Sequence, residues 1–339
     1  MSNKIKFGIV GCGTIAEVQM RALEMVEGAE VTAVMSASEA TSRSWGEKYH
    51  VASFTDMESL LRDGDIDAVT ICTPSGLHAQ QAIQALQAGK HVVVEKPMAI
   101  TRESLEAMLQ AEKESSVSLF PICQLRLSPD VRRAKELISQ GALGKLVMAD
   151  LSMKSYRSPE YYQQKKWRGT WALDGGGALM NQGIHGLDLL RYLCGDVREV
   201  SCRAGTLCRD IEAEDTLAAV MTFEHGGFGV MTATTSVYPG YQRRIEICGT
   251  DGSLVLFGGK LIELKTRSGL TLETDVQVPP SSNDPRLADA EQHIMQFEDI
   301  VRAINTGSQP MLTSADAAAS VRLILDLYES AGIGYGFDA

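Results

Sequence analysis

Two stretches hold the side chains best suited to chemistry. One is Glu95-Lys96-Pro97, and the other runs from Gly175-Gly176-Gly177 to Asp188. In the second, an amide (Asn181), an imidazole (His185) and a carboxylate (Asp188) follow at spacings of four and three. Apolar residues surround them and continue through Leu189, Leu190, Tyr192 and Leu193 to Gly195. These spacings put all three on one stripe of a helix that starts at Asp174 or a glycine and stops at Gly195. An imidazole can take or give a proton at about pH 7. An ammonium held nearby can donate to an oxygen and stabilise negative charge as it develops. On the helix alone, a satisfied core histidine and a helix cap are an equal reading.

The elements that must position these groups come in two patterns. Residues 1–123 alternate short apolar runs with helical spacing. Strands are expected at 7–10, 31–35, 68–72, 91–94 and 117–123, with helices at 15–26, 42–49, 57–62 and 79–89. Repeating strand and helix units imply a doubly wound parallel sheet with helices on both faces. Between the first strand and its helix lies Gly11-Cys12-Gly13-Thr14-Ile15-Ala16, which matches G-x-G-x-x-G/A in the context that gives the motif meaning. Gly11, Gly13, Thr14 and Ile15 are therefore expected to hold a dinucleotide pyrophosphate on a helix N-terminus.

The second strand ends in Ser36, where an NAD site usually carries an acid for the ribose hydroxyls. Ser36, Ser38 and Arg43 can surround a 2′-phosphate instead, although Glu39 is close by. NADP(H) is thus the expected cofactor, with NAD(H) second. Thr73-Pro74 and His78 follow a buried strand, and Glu95 and Lys96 follow another. Loops at the carboxyl ends of parallel strands line the ligand crevice, so these residues are expected beside the nicotinamide. For His78, a solvated helix N-terminus is an equal reading. The proline after Lys96 fixes a turn and suits a cis peptide.

Residues 124–339 differ. Arg126 lies in a crossing segment ahead of a helix at 131–139. Residues 153–172 form a long segment rich in aromatic and basic residues, including Tyr156, Arg157, Arg168 and Trp171. It reads either as a solvated lid or as a surface that recognises a sugar by aromatic faces, or an anionic group by arginine. From residue 197 to about 278, strand signals with glycine turns leave no room for helical crossovers, so a large, mainly antiparallel sheet is expected. One of its faces should pack on helices and the other on a second subunit. A loop at 279–282 and helices at 285–305 and 314–329 close the chain.

Composition narrows the function classes. A net charge of -11 argues against nucleic acid and anionic membrane surfaces as partners. No apolar run reaches the length of a membrane span, and the first residues lead into a strand rather than a signal peptide. The seven cysteines are scattered, which fits free thiols in a reducing cytoplasm. The six histidines show no ligand spacing, so no metal site is expected.

The glycine turn, Glu95-Lys96-Pro97 and the triple glycine leading to Asn181 and His185 stand together in this order. The combination closely resembles the Gfo/Idh/MocA family, the glucose-fructose oxidoreductase and inositol dehydrogenase group, over nearly the whole chain. The resemblance implies a Rossmann domain at 1–123 and a substrate-binding and oligomerisation domain at 124–339, which is α+β with an open sheet. It also implies NAD(P)-dependent oxidation or reduction of a sugar or cyclitol carbon, in homodimers or homotetramers. Lys96 matches the family's active-site lysine and His185 its catalytic histidine. Asn181 stands where many members have aspartate. An amide takes up no proton, so Asn181 is expected to orient a substrate hydroxyl. Trp167 to Trp171 with Asn181 is similar to members acting on nucleotide sugars such as UDP-N-acetylglucosaminuronate.

The implied mechanism removes a hydroxyl proton with His185 while Lys96 stabilises the oxygen and hydride passes to the nicotinamide. Substrate is expected to meet Lys96, Arg126, Tyr156, Arg168, Trp171, Asn181 and His185. Family members that cleave glycosides by transient sugar oxidation use the same lysine and histidine chemistry, and the sequence leaves that alternative open. A sensor that only binds dinucleotide is a third reading, disfavoured by Lys96 and His185.

Overall fold

The computed structural model describes residues 4–274 and 290–333. Two compact units divide the chain: Met1–Gln124 with Asp284–Ala318, and Leu125–Asn283 with Ala319–Ala339.

The first unit is built on six parallel strands: β1 (Ile5–Val10), β2 (Ala29–Met35), β3 (Ala52–Phe54), β4 (Ala68–Ile71), β5 (His91–Val94) and β6 (Leu119–Pro121). Their order, β3-β2-β1-β4-β5-β6, is that of a dinucleotide-binding sheet, with the direction of winding reversing between β1 and β4. Strands buried on both faces read as unbroken apolar runs, and Val92, Val93 and Val94 are all inaccessible. Helix Glu291–Thr306 joins this core through Phe297, whose ring meets Phe7 edge-to-face at 5.9 Å.

Two elements here had no counterpart in the sequence reading, β3 and helix Arg102–Glu114. That helix buries Leu105 and Met108 and half-buries Leu109, a stripe at helical spacing. Its legible signal was the capping box in which Thr101 and Ser104 each bond the other's backbone.

Among the described residues, the second unit holds eight strands: β7 (Leu146–Lys154), β8 (Val197–Gly205), β9 (Thr216–Phe223), β10 (Phe228–Thr234), β11 (Arg244–Gly249), β12 (Gly252–Phe257), β13 (Lys260–Thr266) and β14 (Thr271–Glu273). Their order is β14-β13-β12-β11-β7-β10-β9-β8. Among the described strands of this sheet, only β7 and β10 run parallel and every other pair is antiparallel, as short connections require. Leu217, Ala219, Met221 and Phe223 alternate inward along β9, while Val220 between them is 52% exposed. Helix Ile184–Cys194 packs on β7 and β11. The expected loop at 279–282 and the first residues of the helix expected at 285–305 lie outside the described residues. No helix among the described residues is long and apolar enough to cross a membrane.

Candidate active site

In the first unit, four loops leave the sheet in one row. Val10 is paired with both Met35 and Ile71, and Ile71 with Val94, so these strands end level with one another. Gly11, Ser36, Cys72 and Glu95 are the next residues. All four continue the ladder: Gly11 N–H donates to Met35 O, Ser36 N–H to Phe54 O, Cys72 N–H to Val10 O and Glu95 N–H to Ile71 O. Register alone therefore brings Lys96 to the same sheet edge as the glycine turn.

The turn suits a pyrophosphate. Gly11 has φ +94°, and a Cβ there would lie 2.9 Å from the Cys72 carbonyl carbon and the Thr73 nitrogen. A Cβ at Gly13 would meet nothing within 4 Å, so open space borders the start of helix Thr14–Met25, whose first turn no side chain caps. Backbone donors facing open space fit an anionic group.

The flanking residues are held by their own contacts. Ser38 caps helix Glu39–Tyr49 by accepting from Thr41 N–H, and Ser36 Oγ accepts from Ser38 N–H. Arg43 pairs with Glu39 at 2.5 Å, with both side chains mostly exposed. His78 is buried, not solvated. Its Nδ1 lies 2.8 Å from Pro97 O and its Nε2 2.9 Å from Thr73 O. Burial pushes the imidazole below its usual range, and a neutral ring donates to only one of these carbonyls. His78 thus stands between the Thr73 loop and the Lys96–Pro97 turn, whose peptide is cis. Glu95 is buried as well and accepts from Gln19 Nε2 at 2.5 Å, while Lys96 is half-buried.

In the second unit, the expected single helix carrying Asn181, His185 and Asp188 starts differently. Ala178–Gly183 forms a π-helical turn and Ile184–Cys194 continues as α-helix. A π turn adds roughly one residue, so Asn181 and His185 lie on opposite sides of a register change. The first-turn donors are bound to fixed acceptors outside the helix. Gly177 and Leu179 N–H donate to the Glu214 carboxylate at 2.9 and 2.7 Å, and Ala178 N–H donates to the Glu214 carbonyl at 2.9 Å. Met180 N–H donates to the Tyr328 hydroxyl, which donates to Glu214 in turn at 2.8 Å. A Cβ at Gly177 would stand 1.9 Å from the Glu214 carbonyl oxygen, and one at Gly176 would stand 2.2 Å from the Tyr328 hydroxyl. The glycines are required by this close approach.

His185 and Asn181 are half-buried. Asn181 Nδ2 donates to Asp174 Oδ1 at 2.6 Å, and Asp174 Oδ2 accepts from Gly169 N–H at 2.8 Å. Asp174 therefore ties the 153–172 segment to the helix. Asp188 is buried and bound bidentately by Arg126, at 2.8 Å from Nε and 2.6 Å from Nη2. The Arg126 guanidinium also lies 4.9 Å from the centre of the Tyr192 ring.

The 153–172 segment is organised by arginine on aromatic faces. Arg168 lies 3.9 Å from the Tyr161 ring centre and Arg209 lies 5.1 Å from that of Tyr156. Arg157 donates to Gln182 Oε1 at 2.8 Å. Trp171 meets Tyr328 edge-to-face at 5.5 Å, and its indole donates to Glu212 O. A cavity of about 410 Å³ lies beside this segment. Lys166, Arg168, Arg209 and Tyr162 line it, with Asp210 and Glu212 also on its wall.

Sequence reasoning passed over Glu214, Tyr328 and Arg209. An acidic pair, Glu214-Asp215, opening an apolar strand was the available signal. Both residues are buried. Burial drives Glu214 up to about 7 against the donors that favour its carboxylate. Burial opposes ionisation of Asp215 too, but the N–H groups of Leu207, Arg209 and Cys208 and the Thr216 hydroxyl outweigh it and hold that carboxyl below its usual range. Among the described residues, no group of three or more His, Cys, Asp or Glu is placed to hold a metal ion.

Comparison with known proteins agrees with this architecture. Residues 5–122 match the oxidoreductase family with an NAD-binding Rossmann fold, and residues 131–255 match the GFO/IDH/MocA C-terminal domain. A crystal structure of the WlbA dehydrogenase from Bordetella pertussis, in complex with NADH and UDP-GlcNAcA, superposes with a TM-score of 0.88. It is 31% identical, and the match covers 98% of this chain and 96% of the other. The scyllo-inositol 2-dehydrogenase (NADP(+)) IolW of Bacillus subtilis is 31% identical over 276 residues, 80% of this chain and 74% of its own. The 1,5-anhydro-D-fructose reductase of Ensifer adhaerens is 28% identical over 97% of each chain. The glycine turn, the parallel sheet that carries it and the open antiparallel sheet thus belong to one lineage, and the chain is a member of the Gfo/Idh/MocA family of oxidoreductases.

Proposed function

We propose that this chain interconverts a secondary hydroxyl and a ketone on a sugar, sugar derivative or cyclitol, with Lys96 and His185 acting on the reacting oxygen. The observation that carries the reading is the level row of loops in the first unit, which sets Lys96 at the sheet edge of the glycine turn. Bound NAD(P) supplies the hydride acceptor or donor. His185 takes the hydroxyl proton in oxidation and returns it in reduction. Lys96 donates to the same oxygen and stabilises its developing charge. Asn181, its amide nitrogen engaged by Asp174, offers its carbonyl oxygen to orient a hydroxyl. Arg126 serves by holding Asp188, three residues beyond His185, while Tyr156, Arg168 and Trp171 frame the substrate.

Gly11, Gly13, Thr14 and Ile15 hold the pyrophosphate, and Thr73, Pro74, His78 and Glu95 shape the wall beside it. NADP(H) is preferred over NAD(H). No carboxylate stands at Ser36 to repel a 2′-phosphate, and the Arg43–Glu39 pair is exposed on both sides. Such pairs are worth about 0–1 kcal/mol, so a phosphate can draw Arg43 away together with the Ser36 and Ser38 hydroxyls. The relative named for NADP(+) supports this preference. The enzyme works in the cytoplasm, as a homodimer or homotetramer formed through the open face of the eight-stranded sheet. The carboxyl-proximal 124–339 region supplies both that face and the substrate pocket, and residues 1–123 the cofactor site.

A nicotinamide absorbance screen with both cofactors, over free sugars, inositols, sugar phosphates and nucleotide sugars, tests the reading. Wild-type turnover should fall on the order of 100-fold or more in Lys96→Ala and in His185→Ala, with cofactor affinity little changed. Near wild-type turnover in either variant refutes these roles. Glycoside cleavage without net NAD(P)H formation would instead assign transient oxidation.

One observation favours an anionic sugar derivative such as a nucleotide sugar. The cavity beside the aromatic segment sets Lys166, Arg168 and Arg209 against Asp210 and Glu212, leaving an excess of cations in an acidic chain, and the WlbA relative was solved with UDP-GlcNAcA. On this reading Arg168→Ala raises KM for a nucleotide sugar and leaves KM for a neutral sugar unchanged.

A further inference from the structure

A helix begins with four N–H groups that lack intrahelical partners. An ordinary cap satisfies one or two of them with a nearby Ser, Thr, Asp or Asn. The segment that leads to His185 is anchored differently. The N–H groups of Gly177, Ala178, Leu179 and Met180 are all taken by Glu214 and Tyr328, which lie far away in the chain and are themselves joined. Both are fully buried, and the two glycines admit no Cβ at the contact. A solvated local cap would satisfy the same donors without burying an acid, so stability alone does not account for the arrangement. What it adds is position. The start of the segment is tied at once to the head of β9 and to helix Ser314–Ser330.

The same point governs the neighbouring groups. Trp171 rests its ring against Tyr328, and Asp174 links Gly169 to the Asn181 side chain. We propose that Glu214 and Tyr328 are positioning residues: a buried clamp on the π turn that sets Asn181 and His185 for turnover. This rests on the reading that His185 and Asn181 serve the reaction. Misplacement by about 1 Å can cost on the order of 100-fold in rate, so a clamp on the backbone five to eight residues ahead of His185 has leverage.

The test compares Tyr328→Phe, Glu214→Gln, Glu214→Ala and His185→Ala in the full-length protein. The substrate is myo-inositol, glucose or UDP-N-acetylglucosaminuronate, whichever the wild type turns over. Tyr328→Phe removes one hydroxyl and keeps the ring against Trp171. Its kcat should fall roughly tenfold or more, with KM and dinucleotide Kd within about twofold. Glu214→Ala should lose more, and Glu214→Gln, which keeps one acceptor for Leu179 and Tyr328, should recover part of the loss. Amide hydrogen exchange over residues 177–185 needs no substrate and should quicken in Tyr328→Phe ahead of the rest of its unit. Unchanged kcat per folded molecule, or unchanged exchange there, overturns the clamp. Full turnover in His185→Ala overturns the underlying reading instead, whatever Tyr328→Phe does.

Discussion

The Arg126–Asp188 pair offers the sharpest test of how the segment around His185 is held. Both side chains are almost inaccessible, at 8% and 4%. Asp188 accepts from Arg126 Nε at 2.8 Å and Nη2 at 2.6 Å, and from Ser320 Oγ at 2.8 Å. Asp188→Ala removes the carboxylate and leaves a guanidinium buried without its counter-charge. Breaking a buried pair in this way costs about 3–5 kcal/mol. At roughly 2–4 °C per kcal/mol for a unit of 150–250 residues, the melting temperature should drop by about 6–20 °C. The double variant Arg126→Met, Asp188→Leu removes both charges and restores volume. It should be more stable than Asp188→Ala, because replacing a buried pair with apolar groups is often neutral or better. Thermal and urea unfolding of the wild type, both single variants and the double variant give the coupling energy directly. A loss below about 1 kcal/mol in Asp188→Ala, or a double variant no more stable than the single one, would refute this account of a desolvated charge pair.

Further outcomes follow from other parts of the chain. Gly11→Ala forces a side chain onto φ +94° and against the Cys72 backbone; calorimetry should find dinucleotide affinity reduced at least about tenfold, with about 1–3 kcal/mol of backbone strain added. Glu214 titrates from 4.5 to about 7 on folding, so the folded state binds its proton more tightly. Its contribution to stability therefore falls as pH rises from 4.5 to about 7, by about 3 kcal/mol, and is flat above that. Denaturation across pH 4–8 should show this slope in the wild type and lack it in Glu214→Gln. Phe228 and Met148 are register partners on the open sheet face, 53% and 43% exposed; Phe228→Glu should shift the protein toward monomer in sedimentation, and an unchanged oligomer would remove that face as the interface.

Much was written locally. The parallel sheet was legible because doubly buried strands read as apolar runs between helical periods, as Val92 to Val94 show. The glycine turn was legible because its requirements are local: positive φ at Gly11 and open space at Gly13. The alternation along β9 and β10 marked the second sheet for the same reason. Helix Arg102–Glu114, with Leu105, Met108 and Leu109 at helical spacing behind the Thr101 cap, was equally local, although the sequence reading lacks it.

What the tertiary structure alone decided lies in partnerships across long separations. Arg126 reads as a cation beside a substrate, yet its charge is spent on Asp188, sixty-two residues away. His78 reads equally as a residue beside the nicotinamide or as a solvated helix start until the Thr73 and Pro97 carbonyls are seen on either side of its ring. The triple glycine reads only as the start of a helix, whereas the backbone there is pressed against Glu214 and Tyr328. Spacing reports which face of an element a residue occupies. Which distant donor or acceptor meets it depends on how separate strands and helices pack, and no local period encodes that.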